Sequence, residues 1–210
     1  MILSLLFFSF SFAFYLLAAL FYLGFWIFRK KWIGQTATAL AVVTLLSTTM
    51  ILVTRASEAG HAPFSNLYES MVLFVWAINV GYLAMEYRHR FKVIGVVVMT
   101  IEFLSMVAAS LLPYRFKSIE PLNPALQNKW HWMMDILRPV GFEKYAIGWL
   151  DFHVFTTFVG YAAFAISFGI SLMYLLKHMS EKSGKPGSIL AVFPDSDTLD
   201  EMSYRAIAWG

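Results

Sequence analysis

Long apolar runs, broken by short polar or charged stretches, dominate the chain. A hydrocarbon core of about 30 Å takes about 20 apolar residues in helical form. Five runs reach that length, over residues 2–28, 32–53, 66–85, 93–112 and 146–176, and the last is long enough to project beyond a bilayer. A sixth run begins near Tyr204, shortly before Gly210. No basic segment precedes the first run, which is too long for the apolar part of a signal peptide and reads as a retained helix. The pattern predicts an all-α polytopic membrane helix bundle with five complete transmembrane helices and the start of a sixth. Residues 1–210 form a single membrane domain in this reading, the front part of a longer design.

Composition narrows the class. Hydrophobic residues make up 59% of the chain and charged residues 14%, against about 45–50% and about 25% in soluble domains. Too little polar surface remains for a water-facing globule, which excludes an ordinary cytosolic enzyme and a disordered chain. The net charge of +3 does not mark a nucleic-acid partner, because the Lys and Arg sit at the ends of apolar runs and act as topology signals. Arg29, Lys30, Lys31, Arg88, Arg90, Lys92, Lys177, Lys182, Lys185 and Arg205 fall on one side, ten residues against six on the other. Positive-inside then puts the N-terminus outside, residues 60–66 and 113–149 on the extracytoplasmic face, and residues 177–204 in the cytoplasm. Loop 113–149 carries Pro113, Pro121, Pro124 and Pro139 around short amphipathic pieces, so it is expected to lie against membrane lipid. Cysteine is absent, which removes disulfides, thiolate metal sites and any haem covalently attached to this chain.

Topology sorts the candidate chemistry. His89 and His178 lie in basic cytoplasmic margins and read as solvated flanks. His131, between Trp130 and Trp132, reads as part of an interfacial aromatic belt. His153 stands near the outer end of the fifth run, and Trp149, Thr156, Thr157, Gly160, Tyr161 and Phe164 share its face at helical spacing. Small residues there let a flat ligand or another helix approach. The imidazole suits either an axial ligand to haem iron or a hydrogen bond to a neighbouring helix, and spacing leaves both open. In the segment from Gly60 through His61, Pro63 and Asn66 to Tyr68 and Glu69, Pro63 enforces an extended approach. Asn66 caps the next helix, with Glu69 completing a capping-box-like pair. Glu102 falls mid-span, where a charge costs at least about 2.5–3.5 kcal/mol, so it is expected to be protonated or paired. No P-loop, HExxH, GxSxG or dinucleotide fingerprint occurs.

Two segments resemble a known family. GHAPFSNLYES, followed by LDFHVFTTFVGYAAFAISFGISLMYLL, is similar to the CcsA/ResC-type cytochrome c biogenesis proteins, in the wider haem-handling membrane protein group. The first matches a G-x-x-P-x-x-N-x-Y-E motif through Gly60, Pro63, Asn66, Tyr68 and Glu69. The second matches a span that opens His-Val and continues to G-Y-x-x-F, through His153, Val154, Gly160, Tyr161 and Phe164. The resemblance implies a system II maturation component in a bacterial cytoplasmic membrane, acting with a ResB/CcsB-type partner. It would bind haem b non-covalently and present it to apocytochrome c, whose thiols add to the vinyl groups. His153 would take the place of the first of two external histidines on the iron, with Trp149, Thr156, Gly160 and Tyr161 shaping the haem-facing wall. The chain would then be part of a holocytochrome c synthase complex, with no catalytic side chain of its own. The family's Trp-rich WGxxWxWDPKE segment does not occur before Gly210, so the chain is expected to be inactive alone. A competing reading is a small-solute transporter that uses Glu102 as its intramembrane acid.

Overall fold

The computed structural model describes residues 2–113, 117–119, 149–182, 190 and 193–209. Within them the chain is helical: α1 (Ile2–Phe28), α2 (Lys31–Ala59), α3 (Leu67–His89), α4 (Ile94–Leu111), α5 (Trp149–Lys182) and α6 (Ser196–Trp209). The first five are long and apolar enough to cross a membrane. Helices α1 to α4 close a ring in which each packs on the next and α4 returns to α1; α5 lies against α3 and α4, and α6 lies against α5.

The α1–α2 seam explains why these two helices pair most extensively. Ser11, Tyr15, Ala18 and Tyr22 of α1 are buried, as are Ala37, Ala41, Thr44, Thr48 and Arg55 of α2. Apart from Arg55, their spacing alternates threes and fours, which turns one face of each helix inward. The residues are mostly small, so the backbones approach closely, as is usual where lipid supplies no hydrophobic drive between helices. Ser11 donates to Ser47 across the seam at 2.7 Å. Leu3, Leu6, Phe10 and Leu20 point outward, a lipid-facing surface.

Several ends differ from the sequence expectation for one physical reason. Helix α2 continues to Ala59 rather than stopping at 53, and α3 continues to His89 rather than 85. The expected ends fell just before Arg55 and Glu86, and both charges are buried and paired inside the bundle, so neither ends its helix. Gly60 closes α2 with a left-handed conformation, φ 71°, which favours glycine. Helix α6 begins at Ser196, ahead of Tyr204, and Asp195 accepts the Thr198 hydroxyl at 2.6 Å just before its first turn. Leu199 and Met202 join the main apolar core, and Ser203 bonds Ser167 and Ser171 at 2.8 and 3.0 Å.

Among the described glycines, Gly95 lies in the closest helix contact. A Cβ there would lie 2.5 Å from ring carbons of Tyr22 and would also strike the Tyr82 hydroxyl. Both rings are fully buried. Gly95→Ala is therefore expected to destabilise the bundle by about 1–3 kcal/mol, read as a lower midpoint in an unfolding titration in detergent.

Candidate functional site

The two sequence motifs meet at one end of the bundle. Val154 and Phe158 of α5 pack against a buried cluster containing Ile51, Leu52, Tyr68, Val72, Leu73 and Ala109. The 60–69 segment is bound into the same corner by its polar side chains. Asn66 is the N-cap of α3, its Oδ1 accepting the Glu69 N–H at 2.9 Å. The Glu69 carboxylate does not complete the capping box on Asn66. One oxygen accepts the Ser65 N–H and hydroxyl, each at 2.9 Å, and the other accepts Arg55 Nε at 2.8 Å. Arg55 and Glu69 are 1% and 0% exposed, so the pair has no solvent to screen it. The guanidinium also lies 4.9 Å from the centre of the Tyr68 ring. Two bonds tie this knot to the chain beyond α4: Arg55 Nη2 donates to the Lys117 carbonyl and Asn66 Nδ2 to that of Ser118, both at 3.0 Å.

These contacts assign a role to most of the motif. Gly60 caps α2, Asn66 caps α3, Glu69 neutralises Arg55, and Tyr68 covers the guanidinium. Arg55, one of the six basic residues counted on the other side and expected in the loop after the second run, is instead a buried residue of α2. Its position in the buried series at 41, 44, 48, 51 and 55 was the signal that would have found it. His61 is half-buried beside Pro63, with Nδ1 2.9 Å from the Ala62 carbonyl.

His153 is exposed on α5, and its ring makes no hydrogen bond among the described residues. The Thr156 and Thr157 hydroxyls below it donate to backbone carbonyls of their own helix, those of Phe152 and His153. They are therefore saturated locally rather than aimed outward. Gly160 is buried and Tyr161 is exposed. Tyr161 lines an open apolar groove of about 590 Å³ between α3 and α5, with Leu67, Met71, Phe74, Phe158 and Phe164. His153 does not line it; it stands five residues from Phe158 toward the start of α5, about 7.5 Å along a helix axis. The Trp149 side chain and residues 120–148, with His131 among them, lie outside the described residues. Among the described residues no group of three or more His, Asp or Glu is placed to hold a metal ion by itself.

The opposite end carries a second polar knot that sequence reading missed. The Glu86 carboxylate accepts the Tyr22 hydroxyl at 2.6 Å, the Tyr82 hydroxyl at 2.5 Å and the Thr38 hydroxyl at 2.5 Å. Lys92 Nζ lies 3.0 Å from the same carboxylate and also bonds Thr38 and the Gly34 carbonyl. Lys92 is thus a partner of Glu86 as well as a charge at a helix margin. Between the two knots, Glu102 is fully buried in α4 and both its oxygens lack a hydrogen-bond partner.

Comparison with known proteins gives a consistent set of relatives. The chain is 29% identical over 195 residues to the cytochrome c biogenesis protein CcsA of Guillardia theta, covering 85% of this chain and 58% of that protein. It is 31% identical over 196 residues to CcsA of Prochlorococcus marinus strain NATL2A, covering 90% and 62%. For CcsA of Prochlorococcus marinus strain AS9601 the figures are 29% over 207 residues, 88% and 60%. The chain thus spans about 60% of the length of these curated relatives. No family model and no solved structure matches it. Five membrane-spanning helices and this set of relatives make the chain an integral membrane protein.

Proposed function

We propose that the chain, similar to CcsA proteins over most of its length, is a membrane component of c-type cytochrome biogenesis that binds haem and presents it at the outer face to apocytochrome c. The observation that carries this reading is the placement of His153. It is an exposed imidazole with no hydrogen bond among the described residues, a turn and a half from an apolar groove walled by Phe74, Phe158, Tyr161 and Phe164. These residues fit haem: a flat apolar ring suits aromatic walls, and a neutral imidazole beside them suits the iron. Haem is cargo in this scheme. Histidine coordination is reversible, and a chain without cysteine forms no thioether to it, so haem b held this way can be handed on.

The Arg55–Glu69 knot has a supporting part. It fixes the start of α3, and with it Leu67 and Met71 of the groove wall, relative to α2 and to residues 117–118. The corner is then held in shape before cargo arrives, which lowers the ordering cost of binding. In this reading the corner faces outward, the N-terminus is outside, the membrane is the bacterial cytoplasmic membrane, and a ResB/CcsB-type protein is the partner.

The test is the absorbance of haem in chain purified from haem-replete membranes. The wild type is expected to carry a Soret band of b-type character, extractable by acid solvent. His153→Ala is expected to lose most of that band while keeping its helical circular dichroism. An unchanged band in the variant removes His153 from the site, and absence of haem from the wild type overturns the reading.

A further inference from the structure

The ring of α1 to α4 encloses a polar group that neither knot uses. Asn79 of α3 and Tyr15 of α1 are fully buried, together with Thr44 and Thr48 of α2 and Glu102 of α4. Tyr15 packs with Met106, one turn beyond Glu102 on α4, and Phe12 meets Phe103 with ring centres 5.4 Å apart. Glu102 therefore faces the same interior region as Tyr15.

A hydrogen-bond inventory of this region does not close. Asn79 Nδ2 donates toward Thr44 Oγ1 at 2.7 Å, Tyr15 OH at 3.1 Å and the Ala41 carbonyl at 3.3 Å. The carbonyl is acceptor-only, which fixes the amide with its nitrogen on that side. The threonine hydroxyls are already spent, Thr44 on the Ala41 carbonyl and Thr48 on that of Thr44, both at 2.7 Å, and the Tyr15 O–H lies among the Thr44 and Thr48 oxygens, which can accept it. Three buried oxygens are left without a partner here, Asn79 Oδ1 and both oxygens of Glu102. All three are acceptors if Glu102 is ionised, and acceptors cannot satisfy one another. Nor, among the described residues, is a cation paired with it. Arg55 is taken by Glu69 and Lys92 by Glu86. An unpaired carboxylate at this depth is among the costliest arrangements in a membrane.

One proton resolves the inventory. It neutralises Glu102, converts one unmatched acceptor into a donor, and supplies the hydrogen that Asn79 Oδ1 lacks. We propose that Glu102 and Asn79 form a proton-binding site inside the bundle, the carboxyl O–H donating to the Asn79 Oδ1 through a side-chain rotation or one bridging water. The site is separate from the haem-facing corner and does not depend on it. Tyr15 bounds it and, by accepting from Asn79 Nδ2, holds the amide with Oδ1 free.

Infrared spectroscopy of the full chain in lipid vesicles tests this. At neutral pH the wild type is expected to show a protonated-carboxyl C=O stretch that shifts in D2O. The band should vanish in the near-isosteric Glu102→Gln variant. In Asn79→Leu it should move to the higher frequency of a carboxyl without a hydrogen bond. Absence of an acid band in the wild type, or its survival in Glu102→Gln, overturns the proposal. An unmoved band in Asn79→Leu overturns the pairing. A band that appears only when sodium is withheld would make the site a metal-cation site instead.

Discussion

Arg55→Ala is expected to destabilise the folded chain by about 3–5 kcal/mol, because it strands a buried carboxylate. Glu69 is 0% exposed, so no water replaces the lost guanidinium. Its remaining partners, the Ser65 N–H and hydroxyl, are neutral donors that cannot balance a charge. The Tyr68 ring loses its cation, and residues 117–118 lose one of their two ties to this knot. The double substitution Arg55→Met with Glu69→Leu is expected to recover much of the loss, since an apolar pair of similar volume leaves no charge unmatched. Unfolding midpoints of the two single variants and the double variant in one detergent series check this. Equal destabilisation of Arg55→Ala and the double variant would show that shape, not charge, is what the pair supplies. Under the proposed function, haem content should follow stability here: a corner that has lost Arg55 but remains folded is expected to bind haem more weakly because Leu67 and Met71 are less well fixed.

Apolar periodicity revealed the helices and their order, because each needs about 20 apolar residues whatever its neighbours are. It could not reveal how they continue past a charge. Arg55 and Glu86 looked like helix margins since an isolated charge belongs at the interface. Each is instead carried inward by a partner on another element, Glu69 from the next helix in one case and Lys92 from beyond the same helix in the other. Such pairings are tertiary facts: the series 41, 44, 48, 51 and 55 puts Arg55 on the inner face of its helix but does not name its partner. The cap at Asn66 was legible, being built from adjacent residues, whereas the cap at Gly60 was not, because α2 was expected to end at 53. The stripe below His153 was legible as a face, but the direction of its hydroxyls was not: Thr156 and Thr157 turn back onto their own helix, as Ser and Thr commonly do inside helices. Asn79 went unnoticed because a single neutral amide in an apolar run carries no signal until its neighbours are known.

Glu86→Ala is the second large effect, again about 3–5 kcal/mol, but for a different reason. Lys92 is partly exposed and can turn to water when its partner goes. The Tyr22 and Tyr82 hydroxyls cannot, since both side chains are fully buried. Each would be left as an unpaired donor, at about 1–3 kcal/mol apiece. Glu86→Gln should lie between the alanine variant and the wild type, because its carbonyl oxygen still accepts while its NH2 group confronts donors. The same rings make Glu86 and Gly95 one unit: the Cβ of Gly95→Ala displaces the Tyr22 and Tyr82 rings that hold the carboxylate. The two losses should therefore fall short of additive, with the double variant less destabilised than the sum by more than about 0.5 kcal/mol. Strict additivity in that cycle would mean that the aromatic contact at Gly95 and the hydrogen bonds at Glu86 act independently, and the packing of α4 would then owe nothing to the buried carboxylate.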